Sequence, residues 1–495
     1  MSRRRYSTAM TYTTHDALAA HLLRDDHQED VAFAIWYPSE GAERTSALIA
    51  TPILPRDGDR LVHGNASFLP PYVERALAEA MAAGGGLAFL HSHGGPGWQG
   101  MSDDDVAAEQ SLAAQAKSAT GLPLVGLTLG TDGAWSARFW VKTAPRTYLR
   151  SWCENVRVVG QQLCVTWHPS LHPAPYFRPS LERTISSWGR EAQADLARLH
   201  VGVIGAGSVG SMVAEALART GIQRVRLLDF DGVEERNLDR LLHASLDDIG
   251  RAKVAVLAEA LVKSATANNF EVEAFEWSVV EEDGFRRALD CDVLFSCVDR
   301  PWPRSAMNLI AYAHLIPVVD GGIQVGVTRR KTLKRADWRA HVAAPARRCL
   351  ECLGQYDPGF VGTERDGYLD DPTYIEGLPT DHPLRANENV FAFSMAAASL
   401  EVLQLLTMVI APMRVSSPGA QHYHFVPGEF DPPDFRGCEE NCVYVTLVAR
   451  GDTTGMTVTA QHSIAQERRA ARTITAGGRR SKRSFLRRLW DWWQR

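Results

Sequence analysis

Short apolar runs of strand length alternate with helix-length stretches over the first two hundred residues. The runs predict strands at 31–37, 46–54, 85–93 and 122–130. Helical spacing predicts helices over Pro71 to Ala83 and Asp103 to Ser118, and a polar helix-like stretch covers Glu182 to Leu199. We therefore expect an α/β domain over residues 1–165 and a connector over residues 166–200.

From Val201 the pattern becomes strand, glycine turn, helix and strand, and it then repeats. The successive segments are VGVIGAG, SVGSMVAEALART, VRLLDFD, KVAVLAEALVKS, VLFSCVD and LIPVVDGG. This alternation predicts a doubly wound parallel sheet over residues 201–450, with the apolar helix at 390–410 covering one sheet face. Beyond Arg450 the chain becomes polar and finally basic, which favours a flexible tail over residues 451–495.

Composition limits the classes of function that fit this organisation. A chain of 495 residues with 45% hydrophobic content is large enough for two cores, and its net charge of −5 gives no overall basic field for nucleic acid. The start lacks a signal-peptide core, and no later segment offers about eighteen apolar residues in a row. We expect a cytoplasmic enzyme, in which the eight cysteines are thiols or metal ligands.

A candidate metal site stands at the end of one predicted strand. His91 and His93 are two residues apart, so both imidazoles point to the same face of the strand. Ser102 and Asp105 follow at the spacing of one helical turn. Two imidazoles and a carboxylate leave a fourth position for water, as in catalytic zinc sites. The alternative is that the histidines are ordinary strand residues and that Ser102 only caps a helix.

The segment HSHGGPGWQGMSDDD (91–105) resembles the JAMM (MPN+) zinc metalloisopeptidase motif. The resemblance implies that His91, His93 and Asp105 bind catalytic zinc and that Ser102 donates to the developing oxyanion. It also implies a general base on an upstream strand, for which Glu29 is the candidate and Glu40 a weaker one. The chain departs from the family in carrying Gly94 where proline commonly follows the second histidine.

A glycine-rich turn marks a candidate nucleotide site in the second half. Gly205, Gly207 and Gly210 lie between an apolar strand and an amphipathic helix, so backbone amides can approach a phosphate. Asp229 ends the next strand at the position of a ribose partner. These residues alone fit NAD or FAD as well as ATP.

Charged residues further along the chain favour ATP. Arg240 and Lys253 add two cations that a dehydrogenase does not need, and Asp299 ends a strand where it can hold Mg²⁺ against a triphosphate. Attack of a carboxylate on an α-phosphate requires such neutralising cations. Taken singly, the same residues also fit surface charges and a strand cap.

Residues from Arg183 to about Leu406 resemble the ThiF/MoeB and ubiquitin-activating adenylyltransferases, which have a Rossmann-like fold. By this resemblance, the residues that contact ATP are Gly205, Gly207, Gly210, Asp229, Asp231, Asn237, Arg240 and Lys253. Asp299 would bind Mg²⁺ and organise the acyl-adenylate. Arg183 is the candidate arginine that reaches the ATP of a partner subunit, which would imply a homodimer.

Two close cysteine pairs lie outside the predicted sheet. The resemblance implies a structural zinc held by Cys349, Cys352, Cys438 and Cys442, although the second pair has one extra residue. Relatives that form a thioester use a cysteine after the first pair, and residues 353–389 contain none. Either the enzyme stops at the acyl-adenylate, or Cys349 or Cys352 is the acceptor instead of a zinc ligand.

The last residues, 479–495, combine apolar and basic positions. Phe485, Leu486, Leu489 and Trp493 form one helical stripe opposite Arg487 and Arg488. Such a segment fits contact with an anionic membrane surface or with a partner, and the alternative is that it packs back on the protein.

Together these features predict a bifunctional enzyme of a bacterial-type ubiquitin-like system. One domain would cleave at the modifier C-terminus and the other would adenylate its terminal glycine, with a conjugating enzyme as a further partner. The first alternative is processing and adenylation of a sulfur-carrier protein for thiocarboxylate formation. An alternative of another class is a non-catalytic scaffold that binds the modifier.

Overall fold

The computed structural model describes residues 4–63, 65–328, 330–370, 373, 376, 388–455 and 458–473. Within this part the chain forms two large sheets and a short hairpin. The strands of the first half are β1 Arg5–Thr11, β2 Val31–Glu40, β3 Arg44–Ile53, β4 Arg60–His63, β5 Asn65–Phe68, β6 Gly86–Ser92, β7 Leu124–Leu129, β8 Trp135–Ala144, β9 Thr147–Trp152, β10 Asn155–Val159 and β11 Leu163–Trp167. Its helices are α1 Tyr12–Leu22, α2 Pro70–Ala82 and α3 Asp103–Thr120.

The strands of the second half are β12 His200–Ile204, β13 Arg224–Leu228, β14 Glu271–Phe275, β15 Val293–Ser296, β16 Val318–Val327, β17 Leu333–Ala343, β18 Gln421–His424 and β19 Glu429–Phe430. Its helices are α4 Glu182–Trp188, α5 Arg190–Arg198, α6 Ser208–Thr220, α7 Lys253–Ser264, α8 Glu282–Ala288, α9 Pro301–Ala313, α10 Pro358–Arg365, α11 Phe391–Ile410 and α12 Val443–Thr446. The α/β pattern expected from the sequence is therefore confirmed in both halves.

The first sheet is mixed and has helices on both faces. Its strand order is β11-β10-β1-β3-β2-β6-β7-β8-β9. Leu18 and Leu22 of α1 pack on one face, while Tyr72 of α2 and Leu112 of α3 pack on the other. Because β2 and β6 pair with Val31 opposite His91, the start of β2 lies beside the His-x-His segment.

The second sheet is doubly wound, as predicted. Its order is β14-β13-β12-β15-β16-β17-β18-β19, and the first five strands of this order are parallel. The chain leaves β12 toward β13 on one side and returns to β15 on the other side. Sheets of this kind bind ligands at the carboxyl ends of the strands where the order reverses, which here is between β12 and β15.

Helix α11 covers one face of this sheet. It contacts α6, β16 and β17, and it buries Glu401 and Gln404 together with apolar residues. By length and composition it is also the one helix in the described part that could cross a membrane, although the sequence was expected to offer no such segment. The core helix of a soluble protein passes the same test, and the packing of α11 on the sheet fits that interpretation.

The two sheets share a buried interface, so the connector at 166–200 does not separate them. One hydrophobic core includes Ala9 and Leu48 of the first sheet together with Val201 of the second. Arg44 of β3 donates from Nη1 to Asp292, just before β15, at 2.6 Å, and both side chains are almost fully buried. A buried ion pair across the interface ties the halves together.

Replacing Asp292 by asparagine is expected to destabilise the protein by about 3–5 kcal/mol. The variant removes the carboxylate charge that the buried guanidiniums of Arg44 and Arg157 share. We expect a lower midpoint of urea unfolding, followed by tryptophan fluorescence. Asp366→Asn is the control, because Asp366 forms an exposed ion pair with Arg365. An equal midpoint for both variants would contradict the prediction.

The destabilisation caused by Asp292→Asn should depend on pH, because the ion pair requires an ionised Asp292. Burial alone would raise the pKa of Asp292, but Arg44 and Arg157 outweigh it and hold the pKa well below its ordinary value. A lowered pKa stabilises the fold above the unfolded-state pKa of about 4, and this contribution is lost as the pH falls. The difference in the free energy of unfolding between the wild type and Asp292→Asn should therefore become smaller at acidic pH.

Part of the expected flexible tail is packed on the second domain. Residues 463–473 are helical, and Thr459 forms a bridge with Glu281. Arg469 donates to both carboxylate oxygens of the buried Glu281, at 2.7 and 2.8 Å. The described part of 451–495 thus differs from the expectation, because ion pairs rather than an apolar stripe hold it. The basic segment 479–495 lies outside the described residues.

Candidate functional site

A cavity of about 1400 Å³ opens where the strand order of the second sheet reverses. The sequence-predicted residues that line it are Gly205, Gly207, Asp229, Asp231, Asn237, Arg240, Lys253 and Asp299. Gly210 is buried in the first turn of α6 rather than exposed to the cavity. The structure therefore brings the candidate nucleotide residues together around one space.

The glycine turn fits a phosphate-binding role. Gly205 has a φ of 95°, and a Cβ at this position would lie 2.4 Å from the carbonyl oxygen of Cys297. Gly210 packs so closely on Gly205 that a side chain there would collide with its backbone. Gly207 caps α6 and has open space around the position of a Cβ. Two glycines thus permit the turn, and the third leaves the helix N-terminus accessible to an anion.

Two acidic residues and one lysine form the charged base of the cavity. Asp229 accepts backbone N–H groups from Ala206 and Asp231, each at 2.7 Å. Burial raises the pKa of Asp229, and Lys253 offsets this rise only in part. Lys253 Nζ lies 3.0 Å from Asp231 Oδ2. Burial would lower the pKa of Lys253, but Asp229 and Asp231 outweigh it and keep the amine cationic.

The remaining predicted residues lie at different depths. Arg240 Nη1 donates to the carbonyl of Arg236 at 2.7 Å, and its guanidinium borders the cavity. Asn237 Oδ1 accepts the backbone N–H of Glu234 at 3.2 Å, so this side chain also shapes the local turn. Asp299 is exposed at the cavity wall, where a cation can reach it.

Arg183 does not line the cavity of its own chain. It is exposed on α4, and its carbonyl accepts the hydroxyls of Ser186 and Ser187. Its role at the ATP of a partner subunit stays a prediction.

The C-terminal segment contributes cavity residues that the sequence did not reveal. His462, Ile464 and Arg468 line the cavity. Arg468 pairs with Asp231 and lies over the ring of Phe230, with its guanidinium carbon 5.5 Å from the ring centre. The only signal in the sequence is the arginine spacing in QERRAAR (466–472), which does not indicate a target 237 residues away.

The four predicted zinc cysteines meet at a single point. Their sulfur atoms all lie within 4.8 Å of one another, and Cys349 Sγ is 3.7 Å from Cys442 Sγ. Zinc–sulfur bonds of about 2.3 Å place tetrahedral sulfur ligands about 3.8 Å apart. The hydrogen bond from the Cys349 thiol lowers the pKa of Cys438 to about 5. The cluster is therefore a candidate four-cysteine metal site, despite the extra residue in its second pair.

The position of the cysteines limits which of them could accept the activated tail as a thioester. Cys349 and Cys352 are both members of the four-cysteine cluster, which favours ligation over a role as thioester acceptor. Cys297 lines the nucleotide cavity, but burial and Glu401 raise its pKa well above the ordinary value. A protonated thiol is a poor nucleophile, which argues against Cys297 as the acceptor.

The first domain has its own cluster, at the end of β6 and the first turn of α3. The Nε2 atoms of His91 and His93 are 3.1 Å apart. Each lies 3.3 Å from a different carboxylate oxygen of Asp105. Ligand atoms of a tetrahedral zinc site with bonds of about 2.0–2.1 Å stand about 3.3 Å apart. The three side chains therefore form a compact ligand set of a size that fits zinc.

Ser102 and Glu29 lie near this cluster. Ser102 Oγ accepts the Asp105 N–H at 3.1 Å, and the Ser102 N–H donates to Asp105 Oδ2 at 2.7 Å. Ser102 does cap the helix, yet its hydroxyl proton stays available to another acceptor. Asp105 raises the pKa of His93 against the effect of burial, and the carboxylate of Glu29 adds to this rise. Glu29 thus lies within electrostatic reach of the candidate metal ligands.

Glu40 is wrong as a candidate base. It ends β2, roughly 30 Å along the strand from the residue that pairs with His91. There it accepts the Thr45 hydroxyl at 2.7 Å and pairs with Arg4. Gly94 raises no steric difficulty, because a Cβ at this position would have no neighbour within 4 Å.

Comparison with known proteins relates the second domain to characterised enzymes. The family model described as the ThiF family matches residues 181–436, slightly more than half of the chain. Saccharomyces cerevisiae tRNA threonylcarbamoyladenosine dehydratase 2 is 28% identical over 206 residues, which are 41% of this chain and 44% of that protein. Drosophila melanogaster Ubiquitin-like modifier-activating enzyme 5 is 34% identical over 120 residues, which are 22% and 29% respectively.

Among solved structures, a crystal structure of E. coli MccB with ATP matches 55% of this chain and 76% of its own, with 17% identity and a TM-score of 0.42. The chain spans less than half the length of the two curated relatives named above.

The family match includes the glycine turn, Asp229, Lys253 and Asp299, and it ends before Cys438. The first sheet lies outside it. Apart from His462, Ile464 and Arg468, the residues that line the cavity lie within the matched range. The chain belongs to the ThiF family of adenylyltransferase-type enzymes, related to ubiquitin-like activators.

Proposed function

We propose that the chain is a bifunctional enzyme of a ubiquitin-like modifier system. The second domain would adenylate the C-terminal glycine of the modifier, and the first would cleave at that terminus as a JAMM-type zinc isopeptidase. The observation that carries the proposal is that one chain holds two separate groups of reactive side chains: the charged cavity and the His91, His93 and Asp105 ligand set.

The cavity supplies what attack of a carboxylate on the α-phosphate of ATP requires. The N-terminus of α6 beside Gly207 would receive phosphate oxygens. Lys253 and Arg240 would reduce the repulsion between two anions and stabilise pyrophosphate as it leaves. Asp299 is the candidate ligand for Mg²⁺, and Asp229 is the candidate ribose partner. The products would be an acyl-adenylate and pyrophosphate.

The first domain offers residues for hydrolysis. A zinc ion held by His91, His93 and Asp105 would polarise the scissile carbonyl and make water acidic enough to attack at neutral pH. Glu29 would take the proton of the attacking water and pass it to the leaving amine. The free hydroxyl proton of Ser102 would bond to the oxygen on which negative charge develops. This division of roles rests on the proximity of the five side chains.

Further parts of the assignment follow from the same sites. The Cys349, Cys352, Cys438 and Cys442 cluster would hold a structural zinc ion. A partner's Arg183 would complete the ATP site in a homodimer, and a conjugating enzyme would accept the activated modifier. The expected location is the cytoplasm. In the sulfur-carrier alternative, the same chemistry would expose and activate a carrier tail for thiocarboxylate formation.

The test is to isolate the Asp105→Ala variant from its native host and identify retained small proteins by mass spectrometry. A retained protein ending in glycine should then support ATP–pyrophosphate exchange by the wild type. A dithiothreitol-labile adduct in the same reaction would indicate a thioester, and exchange without one would indicate adenylation alone. Absence of exchange with every retained protein would contradict the proposal and favour a scaffold.

A further inference from the structure

A second group of histidines and carboxylates lies on the strands that extend the second sheet. His422 and His424 are two residues apart on β18, so their side chains share one face. In the antiparallel pairing of β17 with β18, Asp337 lies directly opposite His424. The Asp431 N–H donates to the carbonyl of His422 at 2.9 Å, which aligns Asp431 with that histidine. Three neighbouring strands thus direct four polar side chains to one point.

The side-chain distances are those of a compact cluster. His424 Nδ1 lies 2.8 Å from Asp337 Oδ1, and His424 Nε2 lies 3.2 Å from Asp431 Oδ1. His422 Nδ1 lies 3.1 Å from Asp431 Oδ2. One ligand atom from each of Asp337, His422 and His424 lies within 4.8 Å of the others. Ligand atoms around a tetrahedral zinc ion stand about 3.3 Å apart, so the three side chains would move closer together on binding the ion.

The charges of the cluster favour a bound cation. Both ring nitrogens of His424 face carboxylate oxygens, yet a neutral imidazole carries only one N–H. The other nitrogen would then direct its lone pair at an anion, unless a proton or a metal ion lies between them. Two imidazoles and one carboxylate, those of His422, His424 and Asp337, are suitable ligands for zinc and related divalent transition metals.

We propose that Asp337, His422 and His424 form a third metal site, specific for a divalent transition metal such as Zn²⁺. Asp431 would orient the two imidazoles through His422 Nδ1 and His424 Nε2. Asp337 is nearly buried, at 11% side-chain exposure, and anchors the site from β17. Asp431 is 52% exposed and His422 is 41% exposed, so the opposite side is open. The ligand set is that of a site with an exchangeable position rather than a closed structural site.

The site borders the adenylation cavity. Asp337 and His422 line the same space as Lys253 and Asp299. An ion held there would present its open position to a molecule in the cavity, and oxygen ligands such as a carboxylate or a carbonyl are the groups it would take. The site is separate from the four-cysteine cluster and from the His91 cluster, with which it shares no residue.

The test is zinc content per chain after equilibration with micromolar free Zn²⁺, measured by inductively coupled plasma mass spectrometry. His422→Asn and His424→Asn should each contain one zinc equivalent fewer than the wild type. His243→Asn is the matched control, because His243 is also paired with a carboxylate, Glu215 at 3.1 Å, but belongs to no described cluster. Its zinc content should equal that of the wild type, and equal content in all four proteins would overturn the proposal.

The other zinc sites do not affect this comparison, since they contribute equally to all four proteins. A second measurement uses the wild type alone and does not depend on the folding of a variant. Anomalous diffraction at the zinc edge, from crystals grown with micromolar Zn²⁺, should give a peak between His422 and Asp337. A map without such a peak would show that the four side chains form only a hydrogen-bonded cluster.

Discussion

Lys253→Met is expected to lower ATP–pyrophosphate exchange roughly 100-fold or more, the usual effect of removing one donor that stabilises a developing anion. Methionine retains the length of the side chain but removes the charge. Lys253 is largely buried beside Asp229 and Asp231, which keep it protonated. A water molecule in its place would stabilise the developing anion much less than the ammonium does. The measurement is incorporation of labelled pyrophosphate into ATP, with the retained glycine-terminated protein as substrate.

Lys263→Met is the matched control, since Lys263 is exposed near the end of the same helix, α7. It should exchange at the wild-type rate. Thermal unfolding of both variants separates a catalytic loss from a folding defect, because Lys253→Met leaves Asp231 paired with Arg468 and should still fold. Equal exchange by Lys253→Met and the control would show that the cavity does not perform the proposed adenylation.

The features that the sequence predicts correctly are local ones. The glycine turn, its flanking strand and the helix α6 follow from adjacent residues, since strand and helix periods and the need for close backbone approach are all visible there. The same holds for His91, His93 and Asp105, whose spacing places them on one strand end and one helical turn. Local spacing therefore predicts which of these side chains lie together, and their roles stay predictions.

Strand β1 was not predicted, because its burial depends on partners distant in sequence. Ser7 and Thr8 are fully buried, and the Ser7 hydroxyl lies 2.7 Å from that of Ser46 on β3. Polar residues in a strand normally indicate an exposed face, so the apolar pattern is absent. Arg44 and Arg157 also suggest an exposed strand face from the sequence, yet both are buried where the two sheets meet.

The contribution of the C-terminal segment also depends on long-range contacts. The spacing of Arg468, Arg469 and Arg472 predicts a solvated basic face. In the structure they pair with Asp231, Glu281 and Glu276, respectively. Charge pairing across more than 180 residues leaves no periodic signal in a single sequence. The sequence did not predict the cluster of Asp337, His422, His424 and Asp431 for a related reason, because these residues come from β17, β18 and the position after β19.

Asp105→Asn is expected to remove one zinc equivalent per chain. It should also lower cleavage at the modifier C-terminus roughly 1000-fold, because a Lewis acid that stabilises the transition state by several kcal/mol is lost. The amide binds zinc poorly, but it retains an oxygen that can accept the Ser102 N–H, so the helix cap can persist. Burial would raise the pKa of Asp105, and the two histidines outweigh this effect and keep the wild-type carboxylate ionised and able to bind a cation. Zinc is measured by mass spectrometry, and cleavage is measured on a fusion of the retained protein to a reporter.

Asp104→Asn is the matched control, because Asp104 lies in the same helical turn, is exposed and belongs to no described metal cluster. It should retain the zinc and the activity of the wild type. The two readouts separate the possible failures of the proposal. Zinc loss without a loss of cleavage would place the hydrolytic site elsewhere, whereas full zinc content in Asp105→Asn would show that the carboxylate is only a helix cap. Loss of both in Asp105→Asn alone would assign the ion and the hydrolysis to the same three side chains, because the carboxylate that faces both histidines is the feature that the substitution removes.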